Sequence, residues 1–168
     1  MTLGQHLVEL RKRISIAALA IVVFSIPAWW AVDYVWAALS APVLEVAERQ
    51  NRDATLAYTT IGEAFDTRLL IMFLIGIVAS SPIWLYQLWA FIVPALHQRE
   101  KRFAIGFIAA SVPLFVGGCL AAWFVFPNIV ILLTSFAFGE SATLLSARIY
   151  LDFAIKFILA IGVGFLFP

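Results

Sequence analysis

The sequence contains very little charge. Only 12% of its 168 residues are Asp, Glu, Lys or Arg, whereas 64% are hydrophobic and the mean hydropathy is +1.01. A soluble domain is about one-quarter charged and about half apolar, so this composition excludes an ordinary water-soluble domain and indicates a membrane protein. A net charge of +1 gives no electrostatic support for a nucleic-acid partner.

Residues that commonly hold metals or carry out covalent chemistry are also scarce. Cys119 is the only cysteine, so the chain forms no internal disulfide, and the two histidines, His6 and His97, belong to no HExxH motif. The sequence has no CxxC motif, no Gly-rich phosphate loop and no pair of carboxylates within an apolar run. We therefore predict no metal, no cofactor and no enzymatic activity.

Four long apolar stretches are present instead. A helix needs about 20 residues to cross the hydrocarbon core of a bilayer, because it rises about 1.5 Å per residue. The pattern predicts an all-α polytopic membrane protein in one domain, residues 1–168, with four transmembrane helices. The stretches are residues 14–32, 69–96, 103–127 and 149–168.

Proline and glycine residues predict where these four helices bend, end or pack closely. Pro82 and Pro113 lie inside the second and third stretches and predict kinks, and we expect Pro127 to end the third helix. The last stretch reaches Pro168 without a polar flank, which predicts a chain truncated at its fourth span. Four glycines suit close helix packing: Gly117, Gly118, Gly162 and Gly164.

The distribution of basic residues predicts the orientation. Three precede the first stretch and three lie between the second and third, whereas the other two loops carry four that are diluted by acids. By the positive-inside rule, we expect a multi-pass protein of the cell membrane with a cytoplasmic N-terminus.

Two glutamates lie within the basic segments of the predicted cytoplasmic face. Glu9 and Arg13 are four residues apart, so a helix would bring them together. Glu100 is surrounded by basic neighbours in the segment REKR, residues 99–102. One interpretation is an interfacial helix on anionic membrane lipid and a solvated loop acid. The other is a pair of carboxylates that receive guanidinium groups, which bind carboxylates bidentately.

Asp152 and Lys156 are also four residues apart, inside the fourth stretch. They either pair with each other or line a substrate path, since charges within a membrane span are costly and are often functional. The second interpretation makes the chain a small secondary transporter or channel subunit.

Several motifs add a family resemblance. Residues 6–14 read HLVELRKRI, residues 40–42 SAP, residues 63–65 EAF and residues 81–102 SPIWLYQLWAFIVPALHQREKR. Residues 124–127 read FVFP, and YLDF at 150–153 is followed by AIGVGFLFP at 160–168. Over residues 2–168 the chain resembles the TatC family of the twin-arginine protein translocase.

The resemblance implies a function. It suggests a receptor, within a concave shell of six transmembrane helices, for signal peptides that carry two adjacent arginines. The family exports folded proteins by means of the proton-motive force, in an oligomeric complex with TatA and TatB. Positions associated with signal-peptide binding map onto Glu9, Arg11, Arg13, Phe91 and Glu100. Pro42 and Phe65 map onto outer-loop positions that matter to structure or activity.

The sequence departs from the family pattern at four places. In the third span, the aromatic residue that usually lies two residues before the final phenylalanine is displaced, with Ala122 and Trp123 there. The fourth span of the family usually reads F-E-x-P, and Leu166 stands in place of that glutamate, which is associated with contact to the partner subunits. Leu70 replaces a lysine that is usual at the start of the second span. The fifth and sixth helices are missing.

Overall fold

A computed structural model describes residues 3–49, 56–92, 101–135 and 145–167. Within these ranges the chain is helical apart from short turns and two two-residue strands. The helices are α1 (Leu3–Ala28), α2 (Val32–Arg49), α3 (Glu63–Ala79), α4 (Ser81–Ile92), α5 (Lys101–Ser135) and α6 (Ala147–Gly164); a 3-10 turn (Trp29–Ala31) joins α1 to α2. The strands are β1 (Leu56–Ala57) and β2 (Leu145–Ser146).

The predicted all-α membrane fold is confirmed. Among the described residues, two continuous helical segments are long and apolar enough to span a membrane, His6–Val46 and Gly106–Thr134. Helices α3 and α4 form a third candidate when they are taken as one span bent by 61°. Helix α6 is long enough at 18 residues, but three of them are charged, so composition alone does not qualify it as a further span.

The outward faces of the helices fit a lipid environment. Leu19, Val22, Val23 and Ile26 of α1 are each about half exposed or more. In water such an apolar surface would be unfavourable, because each exposed side chain forgoes its burial free energy. Against lipid it carries no such penalty, which agrees with the bilayer-spanning assignment of α1.

The prolines have different effects on the helices. Pro82 lies next to the break between α3 and α4, as predicted for a kink. The prediction for Pro127 is wrong, since α5 continues through it to Ser135. A proline inside a helix removes one N–H donor, and membrane helices tolerate this loss when the neighbouring structure compensates. Here the extension is also favoured by burial, because Val130 packs into the core at 4% exposure.

The hydrophobic core runs through five of the helices, α2 to α6. Fully buried side chains include Leu39 of α2, Ile71 of α3, Leu85 of α4, Phe115 of α5 and Leu151 of α6. These residues belong to one continuous hydrophobic cluster. The helices are therefore packed into a single bundle over the part of the chain that the structure describes.

Glycines set the closest helix contacts. A Cβ atom on Gly162 of α6 would lie 2.5 Å from the sulfur of Cys119, and one on Gly118 of α5 would lie 3.0 Å from the Cα atom of Gly162. Close packing is thus confirmed for Gly118 and Gly162. The prediction of close packing is wrong for Gly117 and Gly164, which have open space at the Cβ position.

The bundle has two distinct ends. The start of α1, the end of α4 and the start of α5 meet at one end, where His6 stacks on Phe91 and Trp89 contacts Phe107. We call this the inner end. The opposite, outer end joins the start of α3 to the start of α6 through the parallel pair β1–β2, in which Leu56 pairs with Leu145.

Candidate functional site

Glu9 and Arg13 form an ion pair on α1 at the inner end. The side chain of Arg13 donates to one oxygen of Glu9, from Nη2 at 2.7 Å and from Nε at 3.1 Å. Its Nη1 donates to Oε1 of Gln87 on α4 at 3.3 Å. Both partners of the ion pair are 24% exposed, so the pair lies half-buried between α1 and α4.

Phe91 closes the same region from α4. Its ring stacks on the imidazole of His6 with centroids 4.3 Å apart and an interplanar angle of 22°. Between α1 and α4 lies an apolar groove of about 260 Å³. The groove is lined by Arg13 and four apolar residues of α1, and by Trp84, Gln87, Leu88 and Phe91 of α4. A cation-binding carboxylate and an apolar groove therefore adjoin at the inner end.

The structure brings only some of the predicted residues together. Glu9, Arg13 and Phe91 lie around the groove. Arg11 is exposed and does not line the groove, because two residues correspond to about 200° around a helix. Glu100 lies outside the described residues.

Pro42 and Phe65 lie in the connection between the first and second apolar stretches, and both positions are helical. Pro42 is buried inside α2, where its fixed backbone dihedral is compatible with a helix. Phe65 is in the first turn of α3 and is 58% exposed. Their importance for structure or activity stays a prediction.

Glu63, at the outer end, is a structural residue that the sequence analysis missed. It is 3% exposed and accepts five hydrogen bonds. Oε2 accepts from the backbone N–H groups of Thr59 and Thr60 and from the Thr59 hydroxyl, at 2.5, 3.2 and 2.6 Å. Oε1 accepts from the Ser146 hydroxyl at 2.8 Å and from the backbone N–H of Arg148 at 3.0 Å. This carboxylate therefore joins the loop before α3 to the start of α6.

The environment of Glu63 favours its charged form. Glu63 precedes the apolar run that begins at Leu69, so it lies outside the membrane-spanning part of α3. The side-chain hydrogen bonds from Thr59 and Ser146 lower the pKa of Glu63 from 4.5 to about 2, although burial acts in the opposite direction. A carboxylate whose two oxygens already accept five hydrogen bonds holds structure together and has no capacity left for a ligand.

A sequence signal for part of this arrangement exists. Thr60 and Glu63 have the T-x-x-E spacing of a capping box, in which the glutamate returns to the backbone of the residue three positions earlier. The observed bond from the Thr60 N–H to Glu63 has that form, although α3 begins at Glu63 and its N-cap residue is Gly62. The bonds from Ser146 and Arg148 have no such local signal, because these residues are more than 80 positions away from Glu63 in the sequence.

Further ion pairs surround the outer end. Arg148 pairs with Asp66, and Arg68 donates to Asp33 at 2.7 Å. The Arg68 guanidinium also lies 5.5 Å from the centre of the Trp29 ring. All four charged side chains are substantially exposed, so these pairs add little stability individually.

Asp152 and Lys156 form an ion pair with each other on α6. The Asp152 side chain is 50% exposed and the Lys156 side chain 74% exposed. This geometry favours mutual neutralisation and gives no support to a substrate path. Among the described residues, no group of three or more His, Cys, Asp or Glu side chains is placed to hold a metal.

Known proteins of one family match this sequence. The family model for the Sec-independent protein translocase protein (TatC) matches residues 5–168. TatC of Xylanimonas cellulosilytica is 39% identical, and the alignment covers 100% of this chain and 61% of that protein. TatC of Escherichia coli is 30% identical, with 97% and 62% covered. The chain therefore spans about three-fifths of the length of these relatives.

The fold agrees with the sequence comparison. The crystal structure of the twin arginine translocase receptor TatC has a TM-score of 0.79 to this chain. The two are 33% identical, and the match covers 95% of this chain and 70% of the crystallised one. This family consists of membrane-embedded translocase components, which confirms the prediction that the chain is not an enzyme. The chain belongs to the TatC family of Sec-independent protein translocase proteins.

Proposed function

We propose that the chain is a receptor component of twin-arginine translocation and binds twin-arginine signal peptides at its inner end, on the cytoplasmic face. The observation that carries this proposal is the position of Glu9. Arg13 engages one of its oxygens, and the other has no hydrogen-bond partner among the side chains that the structure describes. A partly buried carboxylate beside an apolar groove fits a peptide in which a cationic residue adjoins an apolar segment.

Arginine suits this carboxylate better than lysine does. A guanidinium group donates two parallel hydrogen bonds, and each charge-assisted bond contributes about 1.5–3 kcal/mol. One arginine of the peptide would bind Glu9 through its second oxygen and share the first with Arg13. The second arginine is assigned to Glu100 on the basis of the sequence alone.

The apolar part of the peptide is assigned to the groove between α1 and α4. Phe91 lines this groove, and the His6 imidazole stacks on its ring. Arg11 stands exposed on a different side of α1, where it fits a role at the membrane surface or toward a partner.

The remaining parts of the proposed function rest on membership of the TatC family. They are a cytoplasmic N-terminus, an oligomeric complex with TatA and TatB, and export of folded proteins driven by the proton-motive force. The excess of basic residues in the inner segments supports the orientation. The aligned part of the TatC relatives is about three-fifths of their length, so these activities are proposals for the complete translocase.

Binding of a labelled twin-arginine signal peptide to the detergent-purified chain tests the proposal, with a twin-lysine peptide for comparison. We expect the arginine peptide to bind at least tenfold more tightly, and Glu9→Gln to remove most of that preference. Asp33→Asn is the matched control, because Asp33 is also paired with an arginine but lies at the outer end. Equal affinity of both peptides for the folded chain would refute the proposal.

A further inference from the structure

The break between α3 and α4 leaves a backbone carbonyl to be satisfied inside the membrane. Pro82 has no N–H to donate, so α3 cannot continue through it with unbroken hydrogen bonding. Helix α3 therefore ends at Ala79, and α4 leaves it at 61°. In a continuous helix the carbonyl of Ile77 would accept from the N–H of Ser81. An unsatisfied carbonyl in hydrocarbon costs several kcal/mol, so the bend needs a replacement donor.

Trp84 supplies that donor. Its indole Nε1–H donates to the carbonyl oxygen of Ile77 at 2.9 Å, across the break and back onto α3. The hydroxyl groups of Ser80 and Ser81 are closer in sequence and fully buried, but neither has a hydrogen-bond partner in the described part of the chain. Among the described side chains, the indole thus makes the hydrogen bond that closes the break.

The ring of Trp84 also fixes the direction of α4. It packs edge-on against Phe115 of α5, with centroids 5.2 Å apart and an interplanar angle of 88°. Phe115 is fully buried in the core, so this contact has little room to shift. Trp84 is therefore held on one side by the end of α3 and on the other by α5.

The direction of α4 decides where its inner half lies. Gln87 and Phe91 are three and seven residues after Trp84, on the part of α4 that faces α1. There Gln87 accepts from Arg13 and Phe91 stacks on His6. A change in the bend would move both residues away from α1 together and widen the groove.

We propose that Trp84 is a positioning residue for peptide recognition: its bond to Ile77 sets the α3–α4 bend, which places Gln87 and Phe91 against α1. This inference rests on the proposed signal-peptide function. The inference adds Trp84 to the residues that determine peptide affinity, although Trp84 is not one of the two carboxylates, Glu9 and Glu100, that are assigned to the arginines.

Trp84→Phe tests the proposal, because it keeps an aromatic ring and removes only the N–H donor. Trp89→Phe is the matched control: the Trp89 indole N–H is also buried, packs beside Phe107, and has no hydrogen-bond partner among the described residues. The bend is read from the distance between spin labels at exposed Phe73 of α3 and exposed Ile92 of α4, in a Cys119→Ala background. In a straight helix these residues would be about 28 Å apart, and the bend shortens that distance.

We expect Trp84→Phe to lengthen and broaden the distance between the labels and to weaken binding of the twin-arginine peptide at least threefold. Trp89→Phe should change neither. A distance distribution identical to that of the unsubstituted chain would overturn the proposal, as would a shifted distance with unchanged peptide affinity. Failure of the unsubstituted chain to bind the peptide would refute the proposed function and the positioning role, whereas the distance measurement would still report on the bend.

Discussion

Arg13 donates two hydrogen bonds to the same oxygen of Glu9, at 2.7 and 3.1 Å, and a third to Gln87 on the facing helix. The carboxylate is thereby fixed in one place before a ligand arrives. Preorganisation of this kind strengthens binding because less conformational freedom is lost when the complex forms. One oxygen of Glu9 thus accepts from Arg13 on the same helix, and the other oxygen is left to accept from a guanidinium group of the ligand.

Arg13→Lys should weaken binding of a twin-arginine peptide by about threefold to tenfold. Lysine keeps the positive charge but cannot donate from two fixed positions to Glu9 and from a third to Gln87. Peptide titration monitored by fluorescence anisotropy measures the effect. Arg68→Lys is the control, since Arg68 pairs with Asp33 at the outer end, and an equal loss of affinity in both variants would contradict the account.

Glu63→Gln should lower the melting temperature of the purified chain by several degrees. Five donors point at the two oxygens of Glu63, and a glutamine amide would turn one of its own donors toward some of them. Thermal unfolding in detergent, followed by circular dichroism, measures the change. Asp152→Asn alters an exposed carboxylate and should have little effect. Equal melting temperatures for Glu63→Gln and the unsubstituted chain would show that the network does not stabilise the fold.

The contribution of Glu63 should also depend on pH. Because folding lowers its pKa from 4.5 to about 2, its stabilising effect is complete above pH 4.5 and is lost as the pH falls toward 2. The difference in melting temperature between the unsubstituted chain and Glu63→Gln should therefore shrink over this range. A difference that stays constant from pH 6 to pH 2.5 would contradict the predicted titration.

Gly76→Ala should destabilise the contact between α1 and α3. The added Cβ atom would lie 2.1 Å from the hydroxyl oxygen of Ser25 and 2.9 Å from the carbonyl oxygen of Ile21, so the helices must separate. Overpacking of this kind costs about 1–3 kcal/mol. Gly117→Ala is the control, because nothing lies within 4 Å of its Cβ position. Thermal unfolding of the two variants checks the prediction, which fails if they unfold at the same temperature.

The membrane-spanning character could be predicted from the sequence because hydrocarbon imposes long apolar runs on any helix that crosses it. The ends of the helices were harder to predict. Pro127 is a helix breaker by local rules, yet tertiary packing of Val130 carries α5 past it. Trp84 illustrates the same limit, since its role depends on a carbonyl that is free only because the neighbouring helix ends there.

The candidate site was predictable in part for similar reasons. The four-residue spacing of Glu9 and Arg13 is a local signal, and the observed ion pair agrees with it. The proximity of Phe91 to α1 came from the family resemblance, because no local pattern relates residues on two different helices. Glu63 was missed as a structural centre because Ser146 and Arg148 approach it from more than 80 positions away in the sequence.

Photocrosslinking at Phe91 tests the central claim most directly. A benzophenone amino acid placed at Phe91 should crosslink a twin-arginine peptide, and excess unlabelled arginine peptide should compete while the lysine peptide should not. The same probe at Phe65, at the outer end of the bundle, should give no crosslink. Crosslinking at Phe65 and not at Phe91, or equal competition by both peptides, would contradict a receptor site at the inner end.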